Sequence, residues 1–221
     1  MKFRRKSTEA DPSAAEVAAE VAPEDAAEVA PDDAAAGEAG AGPTGGPFDV
    51  DDLTEDDVQA RLDLGALLIP PAEGVELRVQ VDEATEQVQS VLLAGEEGAI
   101  EIRAFAAPRN GDLWSEVRPR LAADFAQRGG TATEQEGRFG TEVHGRLTVQ
   151  TPDGRTGTQV SRIIGVNGPR WMLRATVLGK PAVEPETAGP WEDLIAAIAV
   201  RRGSQAMPVG AELTVTLPPR G

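Results

Sequence analysis

The chain has 221 residues and a formal net charge of −16, and the imbalance sits at one end: residues 1–60 hold 4 basic and 16 acidic side chains, leaving −4 for the rest. There is no cysteine, which removes disulfides, thiolate nucleophiles and thiolate metal sites from consideration. The acidic balance disfavours nucleic acid, whose binding depends on phosphate neutralisation, and no run approaches the roughly 18 apolar residues of a membrane helix.

Met1–Lys6 has the basic start of an export signal, but Glu9 and Asp11 stand where an apolar run would be required, so the chain reads as cytoplasmic. Ser7 to Pro47 is dominated by Ala, Glu, Asp, Pro, Gly and Val, without aromatic, Leu or Ile. Such a stretch cannot bury enough surface to offset ordering its backbone. Residues 1–47 are therefore expected to form a disordered acidic arm, and residues 48–221 a single α+β domain.

Within that domain Thr54 precedes Glu55, Asp56 and Asp57, the signature of a helix N-cap, and predicts a short helix ending near Leu62 or Leu64. Leu64–Ile69, closed by Pro70 and Pro71, reads as an apolar edge segment. Val75, Leu77, Val79 and Val81 alternate with polar residues, and Val88–Leu93 and Ala99–Ala106 continue a three-stranded meander. Leu113, Trp114, Val117, Leu121 and Phe125 recur at helical spacing after an Asp112 cap, with a kink or restart expected at Pro119 and a stop at Gly129-Gly130. Thr131–Glu136 predicts a further strand, with Gly137 or Gly140 marking a bulge.

Thr141 to Gly179 is the clearest stretch. Val143, Leu147 and Val149 share a parity, as do Val160, Ile164 and Val166, and then Trp171, Leu173, Ala175 and Val177. Three strands with turns at Pro152-Asp153-Gly154 and Asn167-Gly168 follow, the latter pair read as a tight hairpin using positive φ. Trp191, Leu194, Ile195, Ile198 and Ala199 predict a last helix, closed by Arg201, Arg202 and Gly203, and Ala211–Leu217 a final edge strand. The sum is an antiparallel β-sheet of six or seven strands covered by helices. If both longer helices cover one side, Trp114 and Trp191 join one aromatic cluster.

Chemistry is sparse. The only histidine, His144, could face Ser161 with Glu142 or Glu136 orienting the ring, but hydrolase serines sit on sharp turns and Ser161 lies in an alternating strand. No catalytic residue, metal ligand set or cofactor is assigned: the Gly137–Gly140 and Gly95–Gly98 pairs lack the lysine and the glycine triplet of phosphate-binding loops. Arg146, Arg155, Arg162, Arg170 and Arg174 crowd the central meander, and His144, Arg146, Arg162, Arg170 and Arg174 are the candidate binding residues, able to meet an acidic partner, a polyphosphate or the chain's own arm. The leading reading is a non-enzymatic binding or protein-interaction module docking a protein partner through an open sheet face or Leu64–Ile69. A small-ligand binder or enzyme using the His144 and arginine face is the alternative.

Leu62-Asp63-Leu64-Gly65, the Val75–Val81 strand with Asp82-Glu83, Arg103–Pro108, Leu113-Trp114 with Glu116–Pro119, Thr151–Arg155 and Gly168–Trp171 together resemble the actinobacterial domain of unknown function 3710 family over roughly residues 48–220. The resemblance implies a cytoplasmic protein without an assigned activity, cofactor or catalytic residue. Gene neighbourhoods in that family imply, by association alone, an accessory factor in nucleic-acid metabolism. The order of elements is also similar to the PsbP-like sandwich, whose members are mostly non-catalytic binding proteins.

Overall fold

A computed structural model describes residues 45–81, 88–150 and 156–216. The expected arm, apart from residues 45–47, lies outside them, as do Arg155, the Pro152-Asp153-Gly154 reversal, the Glu83–Glu86 turn and Leu217. In chain order the elements are β1 (Phe48–Asp49), α1 (Glu55–Gln59), β2 (Leu62–Asp63), β3 (Leu67–Ile69), β4 (Glu76–Val81), β5 (Val88–Ala94), β6 (Gly98–Ala106), α2 (Leu113–Gln127), β7 (Thr131–Gly137), β8 (Gly140–Gln150), β9 (Thr156–Asn167), β10 (Trp171–Gly179), α3 (Lys180–Val183), α4 (Gly189–Ala197) and β11 (Ala199–Val200). Seven strands form one antiparallel sheet in the order β4-β5-β6-β10-β9-β8-β7, as the alternation of apolar residues predicts. A second, four-stranded sheet runs β1-β11-β3-β2.

The large sheet is covered on both faces. On one side Leu113, Trp114, Leu121 and Phe125 of α2 pack on Phe105, Val143, Leu147, Ile163 and Met172. Two glycines let the helix approach: a Cβ at Gly165 would overlap the Trp114 indole, and one at Gly145 the Phe125 ring. On the other side Ile100, Ile102, Ile164, Trp171, Leu173 and Val177 meet α4 and the small sheet. Leu67, Leu68, Ile195 and Ile198 are wholly buried, each worth roughly 1.5–3 kcal/mol relative to exposure. Trp114 and Trp191 therefore belong to separate clusters on opposite faces, because α2 and α4 cross the sheet on different sides.

Several local expectations change for physical reasons. Thr54 does cap α1, its hydroxyl accepting from Asp57 N–H at 3.2 Å, but the helix stops at Gln59. Leu64–Ile69 is no edge: β3 is paired on both sides, by β2 and β11, and buried throughout, so it offers no docking surface. Pro119 is accommodated within an uninterrupted α2. Gly137 and Gly140 close a two-residue hairpin instead of a bulge, with Gly140 at φ +98°. Asn167 and Gly168 do not use positive φ. Asn167 instead anchors α2, its Oδ1 accepting from Trp114 N–H at 3.1 Å and its Nδ2 donating to Asp112 at 2.7 Å.

The last helix ends at Ala197, and Ala199–Val200 leaves it as β11, so Arg201 serves no helix terminus. It donates to Asp63 and to the Gly65 carbonyl, both at 2.8 Å, tying the segment after β11 to that after β2. Hydrogen bonding to Arg201 holds Asp63 below the usual carboxylate range. The tail forms no regular strand among the described residues. Glu212 bridges to Phe105 and Val215 to Gly65, joining the two sheets over buried Leu213 and Val215.

Candidate functional site

The covering layer of α3, α4 and the small sheet stops short of the β7 edge, and the uncovered end of the large sheet floors a cleft of about 480 Å³. Register builds the floor. Thr133, His144 and Arg162 stand in one cross-strand row, and Thr131, Arg146 and Val160 in the next. Successive side chains alternate between faces, so Glu142, His144, Arg146 and Arg162 share this face while Val143, Leu147 and Ile163 face α2. Ala182, Val183 and Pro185, following β10, make an apolar wall, and Glu192 reaches in from α4.

The charges here are organised around Arg162. Its Nε and Nη2 donate to the two carboxylate oxygens of Glu142, each at 2.9 Å, and Nη2 also donates to Glu192 at 2.8 Å. The Glu142 side chain is 1% exposed and that of Arg162 8%. A bidentate geometry of this kind offsets the desolvation of both charges. Burial works against the guanidinium, but the hydrogen bonds to Glu142 and Glu192 outweigh it and hold Arg162 above its ordinary pKa. His144 Nε2 lies 3.4 Å from Glu142 Oε2. Burial pushes the imidazole below its ordinary value, and Arg162 acts in the same sense; the opposing pull of Glu142 is blunted because that carboxylate is engaged by Arg162. The ring is thus neutral at pH 7. Glu136, the other acid considered for His144, falls on the parity of Val143, where it accepts from the Thr141 hydroxyl at 2.7 Å.

Of the five candidate residues, the fold brings His144, Arg146 and Arg162 to this cleft. Arg170 is exposed in the β9–β10 turn, where its carbonyl accepts from Ala107 N–H at 2.9 Å. Arg174 lies on the opposite face of the sheet, over the Phe105 ring at 5.2 Å, and is only 7% exposed. Ser161 pairs with Gly145 and faces α2, so the Ser161–His144 dyad does not form. Glu192 carries no sequence signal, since its role depends on how α4 crosses the sheet. Glu142 does: it stands two residues before His144, on the same face of the same strand.

Among the described residues no group of three or more His, Cys, Asp or Glu is placed to hold a metal ion, and no helix is long and apolar enough to cross a membrane. No curated protein matches the chain. Among solved structures, a crystal structure from Bacteroides thetaiotaomicron VPI-5482 at 1.50 Å resolution is similar at 12% identity with a TM-score of 0.37, over 68% of this chain and 52% of that one. This chain thus spans about half of that protein, a likeness too distant to bear on function. Residues 46–221 match the family described as "Protein of unknown function (DUF3710)", and the chain belongs to that family.

Proposed function

We propose that the protein is a non-catalytic binding module of the cytoplasm, and that the cleft flooring β7, β8 and β9 takes a small polar group, an amide or a cation, free or carried on a protein partner. The observation that carries this reading is the convergence of His144, Arg146 and Glu192 on one open cleft whose central cation, Arg162, is already engaged by two carboxylates. Its carboxylates Glu142 and Glu192 balance its guanidinium groups Arg146 and Arg162, and its neutral imidazole, threonine hydroxyls and Gln135 amide are hydrogen-bonding groups suited to recognition. Against catalysis stands the placement of Ser161, which faces α2 and leaves His144 without the serine partner that the sequence offers.

His144 is the chain's sole histidine, so its ring resonances report on this cleft alone. Titration with acetamide, methylammonium and methylguanidinium should shift the His144 Cε1–H signal saturably, and Thr133→Trp, which fills the floor, should abolish the response. Absence of any saturable shift in the wild-type chain would refute the reading.

A further inference from the structure

A second polar cavity lies on the other face of the large sheet, under the C-terminal half of α2, with a volume of about 60 Å³. A water needs about 10–15 Å³ of such space, so the cavity accommodates roughly four non-hydrogen atoms. Arg174 lines it from the centre of β10, at 7% exposure, and makes no hydrogen bond or ion pair among the described residues; its one contact of note is the Phe105 ring. Glu101 lines it from β6, at 4% exposure, with Oε2 buried and unpartnered, and so is Gln159 Oε1 from β9. Native proteins leave few buried polar atoms unsatisfied, and two around one space, beside the Arg174 guanidinium, point to an occupant. The rest of the lining is divided. Ser161 and Thr176 add hydroxyls, while Leu121 and Phe125 of α2 supply an apolar end.

We propose that this cavity binds a small monocarboxylic acid of acetate size, its carboxylate on the Arg174 guanidinium, one proton shared with Glu101, and its alkyl end against Leu121 and Phe125. The planar guanidinium fork matches a carboxylate. The neighbouring Arg103 is already neutralised by Glu212, through two hydrogen bonds of 2.9 Å, and Arg128 by Asp124 at the mouth, which leaves Arg174 and Glu101 to balance the ligand. With Glu101 protonated, one monoanion completes the charge; with Glu101 ionised, the two carboxylates repel. The acid therefore enters together with a proton. The charged groups facing Glu101 are Arg103 on its own strand, Arg174 on β10, Asp124 and Arg128 on α2, and Glu212 from the C-terminal segment. Burial of Glu101 raises its pKa, which supports the protonated form.

The test is calorimetric titration of the full chain with sodium acetate at pH 5.5 and 7.5, against sodium chloride, nitrate and benzoate at equal ionic strength. Acetate should bind, more tightly at pH 5.5, and benzoate should not. Arg174→Met should weaken acetate about tenfold or more, the loss of a charge-assisted hydrogen bond. Glu101→Gln, whose amide donates without titrating, should bind acetate equally at both pH values. If Arg174→Met does not fold, Ser161→Val decides: it narrows the cavity with Arg174 and Glu101 in place and should remove the acetate signal. Acetate indistinguishable from chloride in the wild-type chain, which is the outcome if the cavity holds only water, overturns the proposal. So does acetate binding that survives a folded Arg174→Met or Ser161→Val, or a pH dependence that persists in Glu101→Gln.

Discussion

Arg162→Met is the most informative single change in the molecule. It removes the guanidinium but keeps an unbranched side chain, and it strands Glu142, whose side chain is 1% exposed and lies 3.4 Å from the neutral ring of His144. Removing one partner of a buried pair costs about 3–5 kcal/mol, because the remaining charge stays desolvated. Glu142→Met is gentler, since Arg162 keeps its 2.8 Å hydrogen bond to Glu192, itself only 17% exposed, so a loss of about 1–3 kcal/mol is expected. The double variant leaves neither charge stranded and should be more stable than Arg162→Met alone, giving a coupling energy of about 2 kcal/mol or more in the cycle. For a chain of this size the larger loss corresponds to roughly 6–20 °C in Tm. Urea denaturation of all four proteins at pH 7, followed by tryptophan fluorescence, measures these values. A cost below about 1 kcal/mol for Arg162→Met, or strict additivity of the two changes, would refute the description of this pair as the organising charge of the cleft.

Other consequences follow from burial and titration. His144 has a depressed folded-state pKa, so the unfolded chain binds the proton first; stability should fall as pH drops below about 6.5, and His144→Asn should flatten that slope in the urea midpoint between pH 5 and 7.5. Glu101 is shifted the other way by burial: the folded chain holds its proton longer, so stability is lost as pH rises through the folded-state value. Glu101→Gln should then stabilise the ligand-free protein at pH 7.5, by about 1–2 kcal/mol, with the gain vanishing near pH 4 in the same assay. Gly165→Ala drives a methyl into the Trp114 indole and should cost about 1–3 kcal/mol, with altered near-ultraviolet circular dichroism from that tryptophan; Gly189→Ala, where a Cβ meets nothing, should leave the signal unchanged.

The large sheet was legible because its strands alternate. Val75–Val81, Val143–Val149 and Trp171–Val177 each display one apolar parity, and all became strands of the seven-stranded sheet. What period-two reading missed was the second buried face: Ile163, Met172 and Phe105 fall on the opposite parity and pack under α2, so the middle of the sheet is apolar on both sides. The small sheet was illegible for a different reason. Two-residue strands such as Phe48–Asp49 and Ala199–Val200 carry no period, and Ala199 reads equally well as the last turn of the preceding helix. The site divides in the same way. His144, Arg146 and Arg162 share a face by simple alternation and register, whereas Glu192 depends on a helix crossing that no local pattern encodes. Glu101 did carry a signal, as a carboxylate between Ile100 and Ile102 in a strand otherwise suited to burial on both faces.

The small sheet pairs Phe48 with Ala199 and Leu67 with Val200, joining stretches from opposite ends of the domain. During synthesis the strands of the large sheet emerge before Ala199 and Val200 do, so part of their apolar side stays bare until that later segment has left the ribosome. A chain truncated before Ala199 would lose the clasp that joins Phe48 to Leu67, and would be a substrate for holdases and proteases instead of a shorter working version.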